Sequence, residues 1–391
     1  MSSSFPPSVA TRSTPPLSFR EKINRFWLRV SEGLELNQLW SQFEKDARAS
    51  YRLYSRDLES RQEETARPGR RAWHVAQQFF WAVLEKLSPA RRVLLLFSLL
   101  MIVFNPEFGW HDQSGSMHLV SLDLRLLGGL VLLLVLILEV GDRVVMKRDL
   151  EIARDIQSWL LPNQPPAIPG IEVAFQTRPA NTVAGDYYDV FPRIGRTPEE
   201  NRVLFAVADV AGKSIPAAML MATFQASLRT LAVTHSSLAE LIKNVNRYAC
   251  TNSQGGLRFT TAFLAELDPV TRALTYINAG HNQPLLCRAS GTLERLDAGG
   301  LPIGINADAP YQSGSVVLAP GDWLVIFTDG VVEAVNTRDE EYGEQRLLAT
   351  VAGGVNSTPA EMMQRIMISL DGFVGNTPQH DDVTCLLVKV S

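Results

Sequence analysis

Apolar and polar positions divide this chain into stretches of different character. From Arg20 to about Lys86, apolar residues such as Trp27, Leu28, Leu34, Leu39, Trp40 and Phe43 are spaced among charges, with no proline between Arg20 and Pro68. That spacing predicts a helical region over 20–86, broken around Ala66–Gly69. Residues 1–19, rich in Ser, Pro and Thr, predict a disordered tail. Two apolar runs follow, Val93–Phe104 and Leu126–Leu138, whose cores fall short of the roughly 20 residues a spanning helix needs. Extended to about 87–108 and 119–140, they predict a two-helix transmembrane hairpin within 87–141. Arg91 and Arg92 precede the first run, Arg143, Lys147 and Arg148 follow the second, and residues 105–118 hold no Lys or Arg, so both ends would face the cytoplasm. The other reading of these runs is a helical core buried in protein.

A linker helix is predicted over 142–162. Ile152, Ile156, Trp159 and Leu160 share one face of it, either packing on the next domain or pairing with a second copy as a signal-carrying homodimer. Asn163–Gly170, with three prolines, ends the helix and opens a domain over 163–391. There, Ile171–Thr177, Val203–Ala208, Ala262–Leu267, Ala273–Asn278, Trp323–Phe327 and Thr384–Val390 read as strands. Ile215–Ala232, with Ser214 as candidate N-cap, Ser237–Cys250, Gly343–Val351 and Pro359–Phe373 read as helices. Neighbouring strands with inserted helix pairs predict an α+β fold of sheets covered by helices, not a doubly wound repeat.

Composition narrows the function. A chain of 391 residues predicts two or three segments, and a net charge of −4 gives no basic signature for nucleic acid. Cys250, Cys287 and Cys385 are isolated, without metal-type spacing, and read as thiols of a reducing cytosol.

The chemistry lies in four aspartates: Asp186 in AGDYYD, Asp209 in ADVAGK, Asp329 in FTDG and Asp381 in HDDVT. Three of them adjoin apolar strand-like runs, which would carry carboxylates into a partly enclosed site where their charges repel and are costly to desolvate. Oxygen-only donors without paired Cys or His point to Mg²⁺ or Mn²⁺ as the compensating cation. Gly330 would allow a tight turn after Asp329.

The segments EIARDIQSWLLP (151–162), AGDYYDVF (184–191), ADVAGKSIPAAMLMA (208–222), NAGHNQPLL (278–286), GGLPIGI (299–305), GDWLVIFTDGVVEA (321–334) and HDDVTCLLV (380–388) resemble, in colinear order, the bacterial PPM-type serine/threonine phosphatases of the SpoIIE/RsbU branch. The resemblance implies an α-β-β-α sandwich, two antiparallel sheets flanked by helix pairs, with a binuclear Mn²⁺ or Mg²⁺ centre that hydrolyses phosphoserine or phosphothreonine through metal-activated water. It implies that Asp209 bridges two ions with the Val210 carbonyl as a further ligand, that Asp186 serves one ion, and that Asp329 and Asp381 serve the other. Asp382 would either ligate, hold the loop or bind through water. Gly185, Gly212 and Gly330 would shape turns. Asp189 would support the site, with ligation as its alternative; His281 would support it too, with a general-acid role as the alternative; and Lys213 would either meet substrate phosphate or stay solvated. Ala184 replaces a more usual glycine, and Lys213-Ser214 stands where His-Gly or Lys-Gly is common; the carboxylates are all kept. The implied substrate is a phosphoprotein, such as an anti-sigma-factor antagonist of the STAS type in a partner-switching pathway. The predicted hairpin would place the chain in the bacterial inner membrane with the phosphatase domain cytoplasmic; without it, the chain would be cytoplasmic. The competing function is a membrane-tethered scaffold that binds a phosphoprotein without turning it over.

Overall fold

The computed structural model describes residues 77, 80–81, 84, 86–104, 107–111, 117–121, 124–194, 201–234, 237–251, 253 and 256–391. The predicted tail over 1–19 and nearly all of the predicted helical region 20–86 lie outside the described residues. The chain divides into two compact units, Met1–Glu139 and Val140–Ser391.

In the first unit, helix α1 (Pro89–Val103) begins with a proline, whose missing N–H costs nothing in a first helical turn. Strands β1 (Glu107–His111) and β2 (Met117–Ser121) pair antiparallel, and helix α2 (Leu124–Leu160) follows. The guanidinium of Arg91 donates to Glu139 at 3.2 Å, while a Cβ added to Gly128 would lie 2.9 Å from the Ser98 carbonyl and about as near Met101 and Ile102. Forward progress along α1 thus meets backward progress along α2: the two helices are antiparallel and close-packed at Gly128.

Boundaries differ from those expected. Helix α1 ends at Val103, ahead of Asn105-Pro106, a dipeptide that disfavours helix. Residues 117–121 pair as a strand, so α2 begins at Leu124 and not at 119. Nothing divides the second apolar run from the linker: both are one 37-residue helix.

The second unit is built on two sheets. The first joins β4 (Tyr187–Arg193), β5 (Arg202–Val210), β6 (Thr260–Leu267) and β7 (Ala273–Ala279) by antiparallel pairing. To β7 are added β10 (Gly299–Gly300), in parallel, and β11 (Gly314–Val317). The second runs in the order β3 (Ile171–Arg178), β13 (Val383–Val390), β12 (Trp323–Phe327), β8 (Leu285–Cys287) and β9 (Leu293–Arg295), all antiparallel. Helices α3 (Ser214–Thr234) and α4 (Leu238–Thr251) cover the first sheet; α6 (Gly343–Ala352) and α7 (Pro359–Val374) cover the second, after a single turn, α5 (Asp329–Val332).

Strand alternation explains these layers. Val203, Phe205 and Val207 of β5 meet Leu324, Ile326, Leu386 and Val388 between the sheets. Leu204, Ala206 and Ala208 face Ala217, Met221, Leu228 and Leu241 of the helices. On the far side Trp323, Val325, Cys385 and Leu387 pack on Leu347, Met362, Ile366 and Leu370. Both faces of the central strands are buried, which is why they read as continuous apolar runs. The α+β sandwich expected from the sequence is the observed fold, with one short parallel pairing among the antiparallel ones.

The expectation omitted β4 and the short strands β8 to β11. In β4, Tyr187 and Phe191 face the helices while Tyr188 and Val190 face the other sheet; a polar Asp189 on the helix face broke the apolar pattern. Ser214, expected as an N-cap, is itself the first helical residue, at φ 62°.

Candidate metal centre

Strand register assembles the site in two pairs. Tyr187 of β4 lies opposite Ala208 of β5, so Asp186, just before β4, comes beside Asp209. Asp209 stands within β5, one residue from its end, where the predicted strand had stopped at Ala208. In the second sheet Phe327 of β12 lies opposite Cys385 of β13. Asp329, two residues past β12, and Asp381, two before β13, therefore meet at one edge, and the Thr328 N–H donates to the Thr384 carbonyl there at 3.0 Å. A direct hydrogen bond reaches from the second pair's edge to the first across the sandwich: the Thr328 hydroxyl donates to Asp186 Oδ2 at 2.9 Å.

The electrostatics record the crowding. Burial raises the Asp186 carboxyl well above the usual range, and the charge of Asp209 raises it further, against hydrogen bonds from Thr384 and Thr328. Asp209 is pushed up to about 7 by burial and by Asp329, Asp381 and Asp382. Asp329 is raised by burial and by Asp381, with the Gly330 amide and Lys213 opposing. Carboxylates that still raise one another beside Lys213 carry more negative charge than that one cation offsets.

The donor chemistry fits a hard divalent ion. Asp186, Asp209, Asp329 and Asp381 offer oxygen only, and the Val210 carbonyl adds another: it lies 3.3 Å from where a Cβ of Gly185 would stand, facing the Asp186 turn. Among the described residues, no group of three or more His, Cys, Asp or Glu side chains is placed so that it could hold a metal ion.

The remaining predicted residues take distinct places. Asp382 is buried and holds the loop of Asp186: its Oδ1 accepts from the Ala180 N–H at 2.7 Å and its Oδ2 from the Gly185 N–H at 2.6 Å. Asp189, fully buried, points at the helix layer, where Arg229 donates two bonds of 2.7 Å and the Tyr187 hydroxyl a third of 2.6 Å. Lys213 donates to the His380 carbonyl at 2.8 Å and to Asp381 at 3.0 Å, which engages it with the Asp381 loop. His281 is buried, its pKa lowered to about 4 by burial, and its Nδ1 lies 3.0 Å from the Thr261 hydroxyl; Thr261 is the cross-strand partner of Asp209. A neutral imidazole enclosed in this way supports the strand end and is closed off from a substrate in solvent. Gly212 has φ 124°, which an L side chain rarely adopts, and lets the chain turn from β5 into α3.

Sequence reading missed Arg229, Thr328 and Gln157. Arg229 left no local signal, since its partner is 40 residues away. Thr328, adjacent to Asp329, was in view; only the sandwich shows that its hydroxyl reaches Asp186.

The profile of the family described as Stage II sporulation protein E (SpoIIE) matches residues 199–391. The phosphoserine phosphatase RsbU of Bacillus subtilis is 29% identical over 253 residues, covering 64% of this chain and 72% of RsbU. The C-terminal domain is a PPM-type phosphatase domain of the SpoIIE/RsbU family. A second relative of this PPM-type domain, protein IcfG of Synechocystis, is 28% identical over 277 residues; the match covers 64% of this chain but 42% of IcfG. The PPM-type fold itself is matched by the SiaA-PP2C domain of Pseudomonas aeruginosa, with a TM-score of 0.57 at 20% identity over 64% of this chain and 99% of that domain.

Proposed function

We propose that this chain is a metal-dependent protein serine/threonine phosphatase that hydrolyses phosphoserine or phosphothreonine in a partner protein. The observation that carries the proposal is the convergence of Asp186 and Asp209 from one sheet on Asp329 and Asp381 from the other, four carboxylates whose mutual repulsion the Lys213 ammonium at Asp381 offsets only in part. Asp209 would bridge two Mn²⁺ or Mg²⁺ ions with the Val210 carbonyl beside it, Asp186 would serve one ion, and Asp329 and Asp381 the other. Such ions supply an acidified water and neutralise phosphoryl oxygens. The protein's own share is placement. Strand ends fix the carboxylates, Thr328 aims Asp186, Asp382 fixes the loop before it, and Lys213 steadies the loop of Asp381.

The first unit supports a membrane reading. Helix α2 is long and apolar enough to cross a bilayer by length and composition, with only 11% of its most apolar window buried. Leu96, Phe97 and Leu100 of α1 and Leu130, Leu133 and Ile137 of α2 are exposed. Helix α1 has 15 residues, or about 22 Å of rise, less than a hydrocarbon core. The proposal is a membrane-associated antiparallel pair, in a bacterial inner membrane with the phosphatase domain cytoplasmic. An antagonist of the STAS type in a partner-switching pathway is the proposed substrate.

The full chain purified with Mn²⁺ is expected to hydrolyse p-nitrophenyl phosphate and a phosphoserine peptide, and Asp209→Asn or Asp329→Asn to abolish both. Activity that survives both substitutions overturns the metal assignment; metal binding without turnover of any phosphoprotein establishes the scaffold function instead. Recovery of the tagged chain in the soluble fraction without detergent would remove the membrane reading.

A further inference from the structure

The loop before Asp186 is held from two directions. From the catalytic core, Asp382 accepts the Ala180 and Gly185 amides. From helix α2, the carboxamide of Gln157 takes both backbone groups of Ala184: its Nε2 donates to the Ala184 carbonyl at 2.7 Å and its Oε1 accepts the Ala184 N–H at 2.9 Å. Gln157 is 7% exposed on a helix whose neighbouring Ile156 and Trp159 are open to solvent. A buried glutamine in such a helix turn is retained only with its polar atoms satisfied, and here they are satisfied by the N–H and the carbonyl of one residue, two positions before Asp186. The end of α2 is seated beside it: the Gln225 amide of α3 reaches the Leu160 carbonyl at 3.4 Å, and Leu161 packs against both the inter-sheet core and the helix-covered face of the first sheet.

We propose that Gln157 is a positioning residue through which α2 sets the placement of Asp186, and with it the affinity of the site for its first divalent ion. The inference rests on the reading of Asp186 as a metal ligand. Peptide and carboxamide match donor to acceptor and acceptor to donor, so a shift or rotation of α2 of even one hydrogen-bond length breaks both contacts together. The loop before Asp186 is then held by Asp382 and no longer by α2, while the Thr328 hydroxyl stays on the carboxylate. Substrate contacts are untouched, so the effect falls on metal affinity and not on the KM for substrate at saturating metal.

The test is Mn²⁺ binding by the full-length chain, measured by isothermal titration calorimetry beside Mn²⁺ half-saturation of p-nitrophenyl phosphate turnover. Gln157→Leu, which keeps the volume and loses both bonds, is expected to weaken Mn²⁺ binding about tenfold, in line with other residues that orient ligands, with the KM for substrate at saturating Mn²⁺ unchanged. Gln157→Glu keeps an acceptor for the Ala184 N–H and serves if the leucine variant fails to fold; an intermediate loss of affinity is expected. Faster amide exchange at Ala184 and Gly185 in either variant, against unchanged exchange in β5, places the effect in the loop. Wild-type affinity in a folded Gln157 variant, alongside lost affinity in Asp186→Asn, overturns the proposal. Wild-type affinity in Asp186→Asn overturns instead the ligand reading on which it rests.

Discussion

Gly330 and Asp382 touch through backbone alone: a Cβ at Gly330 would stand 2.0 Å from the Asp382 carbonyl oxygen. That approach lets the Asp329 turn lie against the Asp381–Asp382 loop. Gly330→Ala is expected to separate the two, destabilising the domain by about 1–3 kcal/mol in denaturant unfolding and sharply lowering turnover. Gly372, inside α7 with nothing within 4 Å, is the control. Gly372→Ala should stabilise by about 0.5–1 kcal/mol and leave turnover unchanged.

The raised carboxyls of the site make a sign prediction. A carboxyl with a folded pKa above its unfolded value binds more protons folded than unfolded between the two, so stability falls as pH rises through that window. For Asp209 the window runs from the ordinary 3.8 up to about 7. With EDTA present, unfolding temperature is expected to fall as pH rises from about 4 to about 7, opposite to the usual effect of salt-bridged carboxylates. Asp209→Asn should flatten that slope, and Mn²⁺ should restore stability at neutral pH by binding only the folded state. A stability that rises steadily over the same range in EDTA would contradict this.

Much of the site was legible in the sequence because its information is local. Asp329-Gly330 follows an apolar run that is a strand with the very limits expected, and Asp209 lies at the end of another. What was not legible depends on facing. Asp189 and Asp186 are three residues apart, yet strand geometry sends the one to Arg229 in the helix layer and leaves the other at the sheet edge. Asp382, beside Asp381, had three candidate roles, and its two bonds to the Asp186 loop arise from contacts across 202 and 197 residues. The hairpin boundaries failed for a different reason: hydropathy marks apolar length, and it does not reveal that residues beside the turn pair as strands.

Lys213 is the cation nearest the acidic cluster that the structure pairs with it, 3.0 Å from Asp381. Both side chains are about half exposed, so loss of the pair should change stability by less than about 1 kcal/mol. Its removal leaves Asp381 without that cation and the local net charge more negative. Lys213→Ala is therefore expected to lower the Mn²⁺ concentration for half-maximal turnover while KM for p-nitrophenyl phosphate holds. A rise in KM with unchanged metal response would instead assign Lys213 to substrate phosphate.

The face of α2 that turns away from the catalytic domain gives the last prediction. Ile152 and Ile156 are half exposed and Trp159 is 78% exposed, at spacings of four and three that make one apolar seam. Single exposed apolar residues need no explanation, but a seam at coiled-coil spacing on a helix this long is the pattern by which two helices pair. Gln157 on the same helix turns inward, so the seam can be covered by a second copy without disturbing the contact to Ala184. In detergent, the full chain is expected to run as a dimer by light scattering, and Ile152→Glu with Ile156→Glu to run as a monomer. Both positions are solvent-facing in one chain, so the double variant should keep its unfolding temperature at dilutions where the wild type is itself monomeric. A wild-type monomer at every concentration would leave the seam without a partner copy.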